Sequence, residues 1–155
     1  MINLSNPTAK ADLNSITKEE IWAYEAQAEQ LCVELAGVHK PLFQRDGYSL
    51  VLGVFRIDYG LCTKKGIIKK LTKDDVFELG YYSGIDISVN DANGDLAEDN
   101  DRQLTRNITL WGCYKSFFKR RHIMNSASKE ELRALIESTL EEYADSLSLE
   151  KNAGK

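Results

Sequence analysis

The chain is poor in the residues from which most active sites are built. It has two histidines, His39 and His122, and three cysteines, Cys32, Cys62 and Cys113, none in a Cys-x-x-Cys pair. Their separations match no zinc finger or ribbon, so no metal is expected. An odd number of cysteines cannot all pair, and a reduced, cytoplasmic setting is the simpler expectation. Gly53, Gly60 and Gly66 fall in neither phosphate-loop pattern. No apolar run reaches the ~18 residues of a membrane span, so no membrane partner is expected. The N-terminal MINLSNPTAKADLNS lacks the apolar centre of a signal peptide. No acid stands isolated on an apolar face where burial would raise its pKa. Internal repeats and low-complexity tracts are missing. With no catalytic motif and no cofactor motif, the expectation is a non-enzymatic protein.

What is present suits one folded unit. The 155 residues are 43% hydrophobic and 28% charged, enough for a core without staples. The expected organisation is a polar arm over 1–16, a single domain over 17–148 and a frayed tail over 149–155. The net charge of −4 argues against a constitutive polyanion binder but leaves room for a local basic face.

Hydrophobic spacing gives the elements. Thr17-Lys-Glu-Glu20 reads as a capping box ahead of Ile21, Tyr24, Ala28, Leu31 and Leu35. That predicts a helix over 18–36, stopped by Gly37 and Pro41. Arg45-Asp46-Gly47 marks a turn, and SLVLGVFRIDY from Ser49 to Tyr59 reads as a buried strand, with a short helix as the competing pattern. Thr72 caps a short helix expected over 73–79, closed by Gly80. Ile85, Ile87 and Val89 alternate with Asp86 and Ser88, the pattern of an amphipathic strand. Asn93-Gly94 is the favoured hairpin dipeptide after it. Ser128-Lys-Glu-Glu131 is another capping box, and Leu132, Leu135, Ile136, Leu140, Tyr143 and Leu147 make a helical stripe over 129–147. That stripe suits a core, or a homodimer.

The segment Leu104 to Met124 is open to two readings. With period two, Leu104, Ile108, Leu110 and Tyr114 share a face of a strand paired back on 84–90. With period 3.6, Leu104, Ile108 and Trp111 share a face of a helix. The β-branched and aromatic content favours the strand. The fold class expected is α+β, with N- and C-terminal helices packed on a small, mainly antiparallel sheet and a short central helix.

Three patterns carry candidate chemistry. Asp91-x-Asn93-x-Asp95 has the first half of a calcium loop, but Leu96 and Arg102 stand where glycine and a bidentate Glu belong, so a solvated turn is the plainer account. Cys113 and His122 would serve an enzyme only if they lay within hydrogen-bond reach. The strongest pattern is the run Tyr114, Lys115, Phe117, Phe118, Lys119, Arg120, Arg121, His122, in which cations suited to phosphate alternate with aromatic faces suited to bases. Lys64, Lys65, Lys69 and Lys70 offer a second basic patch. Arg106-x-Ile108-x-x-Trp111 followed by Phe117-Phe118-Lys119-Arg120-Arg121 resembles the recognition helix and wing of a winged helix-turn-helix, which implies a phosphate-gripping wing. The plain alternative is a strand with Phe117 packed inward and the cations solvated.

The leading expectation is therefore a small regulatory protein that contacts nucleic acid through these lysines and arginines. The rival is a protein-binding inhibitor, immunity protein or adaptor using Asp91, Asp95, Glu98, Asp99 and Asp101 with the acidic face of the last helix. A helix followed by a strand over 101–123 would favour nucleic acid. One long strand would make the winged-helix likeness accidental and put a protein partner first.

Overall fold

The chain alternates one long helix, a strand meander and a second helix. The computed structural model describes residues 16–58, 63–64, 67–68, 72–116 and 119–149. Helix α1 spans Lys18–Gln44, then come β1 (Ser49–Asp58), two short strands β2 (Thr63–Lys64) and β3 (Ile67–Ile68), and β4 (Tyr81–Asn90). A small hairpin, β5 (Glu98–Asp99) and β6 (Arg102–Gln103), precedes β7 (Thr105–Ser116), β8 (Lys119–Met124) and helix α2 (Lys129–Ser146). The main sheet has the order β1-β4-β7-β8 and is antiparallel throughout. The α+β class is as expected.

Helix α1 starts where the sequence says, with the Thr17 hydroxyl accepting from the Glu20 amide at 3.2 Å. It does not stop at residue 36. It runs through Gly37 and Pro41 to Gln44, eight residues further than the breakers predict. A helical proline collides with the carbonyl of the residue four before it. Here that residue is Gly37, exposed and without a side chain. Phe43, wholly buried, anchors the extra turn in the core. The chain then turns at Arg45-Asp46-Gly47, with Gly47 at φ +85°. The helix expected over 73–79 is also corrected. Thr72 and Asp75 do form a reciprocal capping box, but they close only a 3₁₀ turn, Lys73–Asp75. Helix α2 forms as read, with Ser128 and Glu131 satisfying each other's backbone amides.

Both helices pack on one face of the sheet. The main core joins Ala28, Leu31 and Leu35 of α1 and Leu132, Ile136 and Leu140 of α2 to Ile85, Ile87, Val89, Ile108 and Leu110. A second cluster at the start of α1 joins Ile21 to Val76, Tyr81, Trp111 and Cys113. The apolar stripe of α2 is thus used by the chain's own core, and Tyr143 donates to the Ile87 carbonyl at 3.2 Å. Leu135 and Leu147 of the stripe are half-buried, and nothing in the fold of the described residues supports a homodimer through it. Leu149, the last described residue, is 7% exposed and its amide donates to the Ala144 carbonyl.

The ambiguous segment is a strand. Residues of β7 pair with Tyr82–Ser88 of β4 on one side and with β8 on the other. One residue is inserted: Gly84 pairs with Thr109, but Ser83 pairs with Trp111. Leu110 is the extra residue of a β-bulge, so Leu110 and Trp111 both turn to the helix side. The alternation beyond it is inverted. Leu104, Ile108 and Leu110 are buried, whereas Tyr114 is 39% exposed on the opposite face. The winged-helix likeness is overturned with it. Ile108 and Trp111 lie on a sheet, and Arg106 donates to Thr139 of α2 at 2.8 Å.

Candidate functional site

With the helices on one face, the other face of the sheet is free of helices among the described residues. Its centre is built from aromatics over glycines. Phe55 of β1 pairs with Gly84 of β4, and Tyr82 of β4 pairs with Gly112 of β7. A Cβ on Gly84 would lie 3.0 Å from the Phe55 ring and 2.8 Å from the Ile108 carbonyl oxygen, and one on Gly112 would lie 3.3 Å from the Tyr82 ring. The missing side chains therefore let both rings lie down on the sheet. The rings are 5.8 Å apart and tilted by 42°. The Tyr82 hydroxyl reaches the Thr109 hydroxyl, which fixes the ring along β7.

Towards the turn between β7 and β8 the face becomes basic. Tyr114 stands opposite Arg121 and Ser116 opposite Lys119, and Tyr114, Lys119 and Arg121 are all exposed. Lys115 pairs in register with Arg120. Of the second patch, Lys64 lies in β2, while Lys65, Lys69 and Lys70 lie outside the described residues, as do Phe117 and Phe118. Midway along the face Asp86 accepts from Ser88, and towards the far end Ser88 also meets Thr105 at 2.7 Å.

The acidic residues gather at that far end. The chain leaves β4 at Asn90 and enters β7 at Thr105, so residues 91–101 sit at the end of the sheet opposite the β7–β8 turn. The 12 residues of β7 separate the two by about 40 Å at strand rise. Asp91 is engaged by its own turn, accepting from the Asn93 and Asp95 amides at 2.9 and 3.1 Å. That is an Asx turn, the solvated account of the Asp-x-Asn-x-Asp pattern. The chain turns at Asn93-Gly94 as expected, in a five-residue loop closed by the antiparallel Asn90–Leu96 bridge, and a second, two-residue hairpin turn lies at Asn100 and Asp101, with φ of 51° and 66°. Asp95, Glu98 and Asp101 are exposed and Asp91 and Asp99 are half-buried. Arg102 ties the hairpin to Glu142 of α2.

The other sequence candidates resolve differently. Cys113 and His122 are direct cross-strand partners. The Cys113 thiol is 6% exposed and donates to the Val76 carbonyl at 3.0 Å, and the His122 ring lies 5.1 Å from that of Trp111. His122 is part of an aromatic cluster with Trp111 and Phe77. Cys32 is 1% exposed, and burial first, then Glu29, pushes its thiol up to about 12. Among the described residues, no group of three or more His, Cys, Asp or Glu is placed to hold a metal, and no helix is long and apolar enough to cross a membrane.

One polar cluster escaped the sequence reading. Glu25 of α1 is wholly buried, though not isolated. Its carboxylate accepts from Arg56 at 3.2 Å and from the Tyr81 hydroxyl at 2.6 Å, and Arg56 Nε donates to the Tyr81 oxygen at 3.1 Å. Burial pulls the Arg56 guanidinium down, but Glu25 and Tyr81 outweigh it and hold Arg56 above its ordinary value. Burial, then Glu25, pushes the Tyr81 hydroxyl up. The signal was the position of Glu25, four residues after Ile21 and three before Ala28. This closed triangle joins α1 to β1 and β4 and is a structural device. Beside it Ser83, opposite Arg56, has a wholly buried hydroxyl with no hydrogen-bond partner among the described residues.

Comparison with known proteins finds no match: no family model, no curated protein and no solved structure matches this chain.

Proposed function

We propose that this is a small non-enzymatic binding protein that contacts nucleic acid through the basic and aromatic end of its open sheet face. By the criterion set on the sequence, the strand Thr105–Ser116 makes the winged-helix likeness accidental and counts in favour of a protein partner. A different route to nucleic acid takes the place of that likeness. The observation that carries it is the exposed Tyr114–Arg121 pair with Lys119 beside it, an aromatic face and two cations on one sheet surface. Cations release counterions from phosphate and aromatic faces stack on bases. Lys115 and Arg120 form the register pair between Tyr114–Arg121 and Ser116–Lys119 and so fall on the alternate phase of the strands, outside the Tyr114, Lys119 and Arg121 set.

The test is a salt titration of oligonucleotide binding. Binding is expected at low salt and weakens as salt rises. Neutralising both Lys119 and Arg121 lowers the salt slope by roughly 1.4, at about 0.7 per contact on a single strand. No affinity at low salt, or an affinity unchanged by Lys119→Glu with Arg121→Glu, removes the proposal.

A second reading is supported by the separation of charge. Asp95, Glu98 and Asp101 project from the opposite end, beside a recess of about 440 Å³ that Tyr48 and Leu147 also line. An adaptor or inhibitor docking a basic protein partner would use that end. A stoichiometric partner captured by the parent protein, lost on neutralising Asp95, Glu98 and Asp101 but kept in the Lys119/Arg121 variant, would favour it.

A further inference from the structure

The open face also bears on which form of nucleic acid fits, an inference that rests on the reading above. We propose that it is a platform for single-stranded nucleic acid, which crosses the strands from β8 towards β1 with bases stacked on Tyr114 and then on the Phe55–Tyr82 pair.

Width argues against a duplex. A major groove about 12 Å wide admits a helix or a two-stranded ribbon. This sheet has four strands, so its outer strands lie roughly 14 Å apart before any side chain is added. Residues at the centre of the face cannot reach a base edge inside a groove. They can reach the flat faces of bases that are already unstacked.

The aromatics follow a diagonal that such a strand would take. Tyr114 is on β7, Tyr82 is next to Gly112 on the same strand, and Phe55 lies one strand further on. Gly112 and Gly84 make room for the second and third rings, which are half-buried and tilted by 42° to one another. The ring of Tyr114 is 39% exposed and stands between the cations and this pair.

Charge sets the direction. Arg121 and Lys119 flank Tyr114 at one corner, and Asp86 lies mid-strand on the same face, two residues past Gly84 and just beyond the Phe55 ring. A phosphate backbone is drawn to the β8 corner and repelled by Asp86. The path therefore runs across the strands and not along them. Side chains of the aromatic diagonal carry no base-edge donors apart from the tyrosine hydroxyls, so binding should be tolerant of sequence.

The experiment uses the full chain, with short fluorescent oligothymidylate and oligouridylate as single strands and a mixed-sequence duplex of equal length, read by anisotropy at low salt. The single strands are expected to bind at least tenfold more tightly than the duplex. Tyr114→Ala should weaken single-strand binding by roughly 5- to 150-fold, the effect of one lost stacking contact, while Tyr114→Phe retains it. Because Tyr114 is exposed, its variants should keep the parent circular dichroism. Phe55→Leu provides a second stacking variant and should also weaken binding. A single-strand affinity that falls in Lys119→Glu/Arg121→Glu but is unchanged in both aromatic variants overturns the platform and leaves the nucleic-acid reading standing. A duplex bound as tightly as the single strands does the same. No affinity for any of the three probes overturns both.

Discussion

Replacing Arg56 by methionine should destabilise the protein by about 3 kcal/mol. The estimate starts from Glu25, whose side chain is wholly buried with its carboxylate held by Arg56 and the Tyr81 hydroxyl. Removing one partner of a buried ion pair costs about 3–5 kcal/mol, because the other charge is left without compensation. The Arg56 side chain is 30% exposed, so water enters more readily than at a sealed site, and the lower end applies. For a domain of this size that corresponds to a fall in Tm of roughly 6–12 °C. Glu25→Gln keeps an acceptor for Tyr81 and lets Arg56 turn to solvent, so it should cost less, about 1–2 kcal/mol. The double variant Glu25→Met/Arg56→Met replaces the pair by apolar groups and should be less destabilised than Arg56→Met alone. Urea denaturation followed by circular dichroism measures all three, with the denaturant slope as a check that only stability changed. A loss under about 1 kcal/mol for Arg56→Met, or a double variant worse than the sum of the singles, would refute the reasoning.

Other consequences follow from packing and titration. Gly84→Ala should cost about 1–3 kcal/mol, since its Cβ meets the Ile108 carbonyl at 2.8 Å, whereas Gly53→Ala, with nothing within 4 Å, should be tolerated; the same urea melts decide. Ser83→Ala removes a buried hydroxyl without a partner and should leave stability unchanged or raise it slightly, and a loss above about 1 kcal/mol would show that the hydroxyl is satisfied after all. Burial raises Tyr24 and Tyr143 from 10.0 to about 12. A raised folded pKa gives stability that is complete below the unfolded value and lost as pH rises through the folded one. Alkaline unfolding should therefore set in above pH 10 and progress towards about 12. Tyrosinate absorbance should show these residues ionising together with the loss of helix, and ionisation of all seven tyrosines at pH 10 in a still-folded protein would contradict this.

Some of this fold is legible in the residues themselves. Ser128, Glu131 and the stripe from Leu132 to Tyr143 define α2 locally, because capping and helical spacing are both short-range. The strands at Ser49 and Tyr81 are equally local patterns. What fails depends on distant contacts. The end of α1 was misplaced because a proline is judged by its neighbours in sequence, while Phe43 holds the last turn through the core. The face of Tyr114 was misjudged because one bulged residue, Leu110, inverts the alternation, and a bulge is defined by the partner strand. Glu25 stood in view within an apolar stripe, but its partners Arg56 and Tyr81 are 31 and 56 residues away. The basic run was visible as composition. The placement of Tyr114, Lys119 and Arg121 on a sheet face shared with Phe55 and Tyr82 was not, because those aromatics come from strands β1 and β4.

The most direct test of the open face as the binding surface is an amide chemical-shift titration of the labelled protein with oligothymidylate. The account predicts shifts centred on Phe55, Tyr82, Tyr114 and Arg121, fading towards Ser88 and Thr105 and missing from Asp95, Glu98 and Asp101. Shifts centred on residues 91–101 and α2, or no shifts at low salt, would contradict it.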